Sequence, residues 1–302
     1  MPWEAPPSTL GLVPQRPVSP VPAGTLCVIG GGEDRTGSRV VLREFIRLSG
    51  GDGARIAVVA TASSLGDEIL DEYERVFLAL GAGSVVRLRP SSRAEADGVD
   101  LAAELADVDA VFMTGGNQLK LTQIIGGTRF ADAVRSAYQR GALVGGTSAG
   151  ASAVSEHMIA FGDETDTPRQ GVTASAAGLG LLPDVIVDQH FAQRNRYGRL
   201  LSLVARSPRL LGLGVDEDTA AVIRGGHLVE VIGTGCVFVA DGSNAVSDAH
   251  IAELGAPMLV SGVVVHALPS GARFDLLQRR LVDFHEEHLA HQISSRPQED
   301  DE

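Results

Sequence analysis

Residues 142–158, ALVGGTSAGASAVSEHM, decide how the rest of the chain is read. Ala142-Leu143-Val144 is a short apolar run of the kind a buried strand uses. Gly145 to Gly150 turn the chain, and the small residues Ala151 to Val154 continue as a helix. Strand, sharp turn and helix with a serine at the apex make a nucleophile elbow, and Gly146-x-Ser148-x-Gly150 fits its G-x-S-x-G pattern. The glycines have a physical task. A serine at such a turn sits in strained backbone, and flanks without a Cβ let strand and helix approach closely. The competing reading is a glycine-rich turn that carries a solvated serine.

Upstream, apolar runs of strand length alternate with helical spacings. Residues 25–29, 55–60, 85–88 and 110–113 read as strands, and 40–48, 68–80, 102–106, 119–125 and 130–140 as helices. This alternation predicts an α/β fold, a parallel sheet with helices on both faces. Two further glycine turns follow strands: Gly30-Gly31-Gly32-Glu33-Asp34 after the first and Thr114-Gly115-Gly116-Asn117-Gln118 after the fourth. Neither a Walker A lysine nor G-x-G-x-x-G accompanies the first, so it reads as a loop shaping the edge of the sheet. All three turns fall at carboxyl ends of strands, where open α/β sheets place their sites.

Downstream, residues 161–181 are rich in Thr, Gly and Ala and read as a loop-like flap beside the site. A strand at 185–187, a helix at 195–205 and a strand at 211–215 follow. Segments at 220–223, 228–232, 236–239 and 258–267 predict an appended antiparallel edge sheet, and 276–288 a final helix. Residues 1–23, with seven prolines in the first 22, read as a disordered arm. Residues 24–290 read as one catalytic domain, and 291–302 as a disordered acidic tail.

The chain has 302 residues, 25 of them basic and 38 acidic, for a net charge of −13. That balance argues against nucleic acid or an anionic membrane as a partner. Cys27 and Cys236 lie in apolar runs and read as free thiols of a reducing compartment. No signal-peptide pattern and no apolar run of about 18 residues is present, so the expected location is cytoplasmic. No cluster of His, Cys and acidic residues has zinc spacing, and neither metal nor cofactor is expected.

A serine hydroxyl needs a base within hydrogen-bond reach, itself oriented by an acid. All eight histidines follow Ser148. His190 alone directly follows a short apolar strand expected in the same sheet, which makes it the best placed. Asp216, Glu217 and Asp218 follow the next apolar run, and local reasoning does not choose among them. The chain order is then Ser, His, acid, whereas α/β-hydrolases use Ser, acid, His. Ala149 N–H and the Gly116 turn are candidate oxyanion donors. Arg194-x-Arg196-x-x-Arg199 places three guanidinium groups just past His190. Such forks bind a substrate carboxylate bidentately, or else form a solvated helix face paired with local acids.

Five stretches together carry a resemblance: the loop at 30–34, Phe112-Met113-Thr114-Gly115-Gly116-Asn117-Gln118, residues 145–151, Asp188-Gln189-His190-Phe191 with its arginines, and Gly214-Val215-Asp216-Glu217-Asp218-Thr219. In that order they resemble the cyanophycinase family of serine peptidases, which also contains the aspartyl dipeptidase, dipeptidase E. The similarity runs from about residue 25 to 281; the proline arm and acidic tail lie outside it. It implies a flavodoxin-like sheet related to class I glutamine amidotransferases, usually as a homodimer. It implies Ser148 as nucleophile, His190 as base and Glu217 as the orienting acid. Gln118, Asp188, Gln189, Arg194, Arg196 and Arg199 match positions that shape substrate recognition, and the whole arginine set favours cyanophycinases over dipeptidase E. The implied substrate is cyanophycin, a polyaspartate with arginine on each β-carboxyl, and the implied product is the β-Asp-Arg dipeptide. The rivals are an α-aspartyl dipeptidase with the same triad and a catalytically silent binding protein.

Overall fold

A computed structural model describes residues 24–284. The arm expected at 1–23 and the tail expected at 291–302 lie outside the described residues. The chain enters at β1 (Leu26–Ile29) and crosses through α1 (Val40–Leu48) to β2 (Arg55–Val59). From there α2 (Glu68–Ala79) leads to β3 (Ser84–Leu88), and the short α3 (Arg93–Ala96) and α4 (Val99–Ala103) lead to β4 (Ala110–Met113). Next come α5 (Gln118–Ile125), α6 (Arg129–Gln139) and β5 (Leu143–Thr147), and Ser148 joins β5 directly to α7 (Ala149–Ala153).

These five strands are parallel in the order β1-β5-β4-β2-β3. Their residues alternate between two cores, as a period of two requires. Leu26 and Val28 pack with Leu121, Phe130 and Val134 on one face, while Cys27 and Ile29 pack with Phe45 and Phe77 on the other. Burial on both faces is why β1, β2 and β4 read as apolar runs, whereas the edge strand β3 exposes Ser84 and Arg87. The second face is closed by Val41, Leu42, Phe45 and Ile46 of α1 and by Ile69, Leu70, Tyr73, Val76 and Phe77 of α2. That spacing makes one apolar stripe along each helix.

Beyond the elbow, β6 (His157–Gly162) and β7 (Thr173–Ala177) pair as an antiparallel hairpin. The segment expected to be loop-like thus begins in β6 and contains β7, with 163–172 between the two strands. β8 (Val185–Gln189), α8 (Tyr197–Arg206) and β9 (Leu211–Val215) follow. Then come β10 (Thr219–Arg224), β11 (Leu228–Gly233), β12 (Cys236–Asp241), the short β13 (Val246–Ser247) and β14 (Val260–Ser261), β15 (Val264–Pro269), β16 (Ala272–Asp275) and β17 (Arg280–Phe284).

Two expectations are corrected here, the sheet of the strand before His190 and the final helix. The expected antiparallel edge strands are present and are divided between two sheets. β10, β11, β16 and β17 extend the main sheet beyond β1 to nine strands, whereas β15-β12-β9-β8 form a separate four-stranded sheet. The strand before His190 is therefore not in the sheet of the serine strand. The helix expected at 276–288 is replaced, over its described part, by a turn and β17, which pairs antiparallel with β16. Edge pairing outweighs the helical propensity of that stretch. Among the described residues no helix is long and apolar enough to cross a membrane.

Candidate active site

Ser148 has φ 52° and ψ −107°, between the last residue of β5 and the first of α7. Residues other than glycine rarely adopt a positive φ, so the surroundings must hold it. Its N–H donates to Ile29 O at 3.0 Å, and its carbonyl accepts Ser152 N–H at 3.1 Å. The Oγ so placed lies 2.9 Å from His190 Nε2.

His190 leaves the end of β8, also with a positive φ of 49°. Its Nδ1 lies 2.5 Å from Glu217 Oε1. Glu217 is the centre of the three residues that carry the chain from β9 in one sheet to β10 in the other. Its neighbours are turned to other tasks. Asp216 accepts the N–H groups of Ala192 and Cys236, and Asp218 accepts that of Asp34. Of the three acids left open by local reasoning, Glu217 is the one against His190. Behind the imidazole lies the first glycine loop: a Cβ on Gly31, whose φ is +97°, would stand 2.3 Å from the ring.

Burial lowers the His190 pKa below 6.5, against the upward pull of the hydrogen bond to Glu217; the positive charges of Arg194 and Arg196 lower it further. The ring is thereby kept neutral, able to accept a proton from a hydroxyl at 2.9 Å. Near Ser148, an added Cβ on Gly115 would lie 3.9 Å from Oγ, whereas one on Gly116 would meet Ala62 O at 2.2 Å. Gly115 borders the hydroxyl and Gly116 is braced against the neighbouring loop. Ala149, first in α7, has an N–H with no acceptor inside its own helix.

The expected recognition residues fall into two groups. Asp188, wholly buried, is clamped by two cations: Arg199 binds both of its oxygens, and Arg196 Nη1 lies 3.2 Å from Oδ1. Arg196 Nη1 also donates to the backbone and side-chain oxygens of Gln189, and Arg199 Nη1 to Gly162 O. Arg196 and Arg199 are only 6% and 4% exposed, so their forks do not form an outward helix face. The helix begins at Tyr197, which leaves Arg194 and Arg196 before it. The second group stands apart. Arg194 is half-exposed, 3.9 Å from Glu164 in the hairpin loop, and Gln118 Nε2 donates to Ile159 O and Ala160 O of β6. Arg196 keeps one donor unused: its buried Nε has no hydrogen-bond partner.

Sequence reasoning missed three residues around this centre. Gln193 Oε1 accepts Glu217 N–H at 3.0 Å. Glu164 faces the arginines. Glu33 binds the hydroxyl of Thr147, the residue before the serine. Glu33 stood inside a quoted motif, yet its partners lie 40 and 114 positions away, a separation that no local pattern signals.

Comparison with known proteins identifies the family. The chain is 38% identical over 271 residues to a cyanophycinase of Trichormus variabilis, covering 89% of both proteins. It is 37% identical over 254 residues to a cyanophycinase of Geminocystis herdmanii, covering 83% of this chain and 93% of that one. The fold is shared with a crystal structure of a peptidase from an acI-B1 Actinobacterium, at a TM-score of 0.59 and 20% identity over 85% of this chain and 98% of the other. The model of peptidase family S51 matches residues 26–231, from β1 through β11. A match spanning the whole parallel sheet, the elbow and both segments that carry His190 and Glu217 leaves one conclusion: the chain belongs to peptidase family S51 and is a serine-type peptidase.

Proposed function

We propose that this peptidase is an exopeptidase that hydrolyses cyanophycin to β-Asp-Arg dipeptides, with Ser148, His190 and Glu217 as its catalytic triad. The observation that carries the proposal is the continuous chain from Ser148 Oγ to His190 Nε2 at 2.9 Å and from Nδ1 to Glu217 Oε1 at 2.5 Å. It is supported by relatives named cyanophycinase at 35–38% identity. Ser148 Oγ attacks the backbone carbonyl as His190 takes its proton, and the Ala149 N–H with the Gly115–Gly116 turn receives the oxyanion. His190 then returns the proton to the leaving amine, and water releases the acyl group by the same steps. Glu217 holds the imidazole in the required tautomer and stabilises the imidazolium.

In this reading Gln118, Asp188, Gln189, Arg194, Arg196 and Arg199 serve recognition in two roles. Arg194, half-exposed, receives substrate carboxylate, and Arg196 holds Asp188 and Gln189 beneath it. Arg199, saturated by Asp188 and Gly162, holds that arrangement in place. The family resemblance extends the proposal to a homodimer. The test is incubation with insoluble cyanophycin and with a panel of Asp-X dipeptides, products being identified by mass. β-Asp-Arg from wild type, with kcat reduced roughly 10³- to 10⁶-fold in Ser148→Ala at an unchanged melting temperature, is the expected result. Cleavage of the dipeptides alone would replace the substrate assignment. Full activity in Ser148→Ala would remove the nucleophile.

A further inference from the structure

The loop after β1 does more than border the site. Three consecutive carbonyls, from the last residue of β1 into this loop, each hold one segment of the proposed triad. Ile29 O accepts Ser148 N–H at 3.0 Å, Gly30 O accepts His190 N–H at 2.7 Å, and Gly31 O accepts Asp218 N–H, next to Glu217, at 2.9 Å. Two residues on, Glu33 is only 5% exposed. Its Oε2 accepts the Thr147 hydroxyl at 2.5 Å, and its Oε1 accepts the hydroxyl of Tyr73 from α2. Both donors are buried as well, Thr147 at 3% exposure and Tyr73 at 2%.

Among the described residues no cation forms an ion pair with Glu33; the nearby Arg35 pairs instead with Glu72 and lies over the Tyr73 ring. A buried carboxylate held only by neutral donors is a poor choice for stability, since an apolar side chain of similar volume serves the core as well or better. What the carboxylate does provide is direction. Thr147 immediately precedes the residue with the strained φ, and strain persists only where the flanks over-determine it. Ser148 is held by its own N–H and carbonyl; beside the pairing of Thr147 with Ile29 of β1, the Thr147 side chain is a further handle on its N-terminal side.

We propose that Glu33 is a positioning residue for the serine nucleophile, acting through the Thr147 hydroxyl, with Tyr73 fixing the carboxylate. The inference rests on Ser148 being that nucleophile. A misplacement of about 1 Å at a reacting atom costs on the order of a hundredfold in rate, so loosening this clamp slows chemistry more than binding.

The experiment compares Thr147→Val, which keeps the shape and loses the hydroxyl, with Thr147→Ser, which keeps the hydroxyl. Glu33→Gln and Tyr73→Phe probe the other members, and Ser148→Ala is the control. Each variant is measured for kcat and KM on cyanophycin, for the rate at which a fluorophosphonate labels the enzyme by intact mass, and for melting temperature. The expected result is a fall of roughly ten- to a hundredfold in both kcat and labelling rate for Thr147→Val and Glu33→Gln. KM stays within about twofold, Tyr73→Phe shows a smaller loss, and Thr147→Ser restores the wild-type rate. Variants that melt earlier yet label and turn over normally would make Glu33 a purely structural residue and overturn the proposal. Should Glu33→Gln fail to fold, the single-hydroxyl variants Thr147→Val and Tyr73→Phe decide the question alone. Labelling and turnover that persist in Ser148→Ala would overturn the nucleophile and the positioning role together; their loss there alone, with the clamp variants unaffected, would overturn only the second.

Discussion

At the scale of single residues, His190 is set by competing neighbours. Burial and the cations Arg194 and Arg196 favour its neutral form, while Glu217 favours the protonated one. With His190 as the proposed base, its pKa below 6.5 places the expected acid limb of kcat/KM below that pH. Arg194→Gln removes a repelling charge, so the imidazolium becomes easier to form and the acid limb moves upward towards 6.5. A pH–rate profile of wild type and variant reads this directly; a limb that moves down or stays put would show that the cation does not act on the ring. The residue scale was partly legible in the sequence. Serine at an elbow and a histidine after a strand are local patterns. The selection of Glu217 over Asp216 and Asp218 is not, because it depends on which carboxylate the backbone N–H groups of Ala192, Cys236 and Asp34 already occupy.

At the scale of elements, the arginines show where sequence spacing runs out. Positions 196 and 199 are three apart, which says that they share a face and not which way the face points. In the fold they point inward because β8 presents Asp188 there, fully buried. Two cations on one buried carboxylate form a unit whose loss is costly: breaking a buried pair leaves an uncompensated charge, at about 3–5 kcal/mol. Arg199→Ala is therefore expected to lower the melting temperature by roughly 10 °C. Arg209→Ala, which removes the exposed pair with Asp184, is expected to leave it almost unchanged, as surface pairs contribute little. Differential scanning calorimetry distinguishes the two, and equal small shifts would mean that Asp188 finds other partners. The alternation of strands and helices up to Ser148 was readable because each element there is buried by its neighbours in sequence. Sheet membership after it was not. β8 and β9, like β5, are buried five-residue strands that open on apolar residues, and nothing in such a run says which sheet it joins.

At the scale of the whole molecule, the candidate site is a joint between two sheets. Ser148 comes from the nine-stranded sheet, and His190 and Glu217 from the ends of β8 and β9 in the four-stranded one. The segment 29–31 spans that joint one residue at a time, its successive carbonyls accepting the N–H groups of Ser148, His190 and Asp218. On the proposed triad, the reading frame of this loop is part of the machinery. An extra residue after Ile29 or after Gly30 would move at least one carbonyl away from its recipient, however innocuous the inserted amino acid. In a library of single-residue insertions selected for hydrolysis, those two junctions are expected to be blank, while the hairpin loop at 163–172 accepts many. Equal acceptance at the two places would mean that the carbonyls follow the triad rather than gauge it.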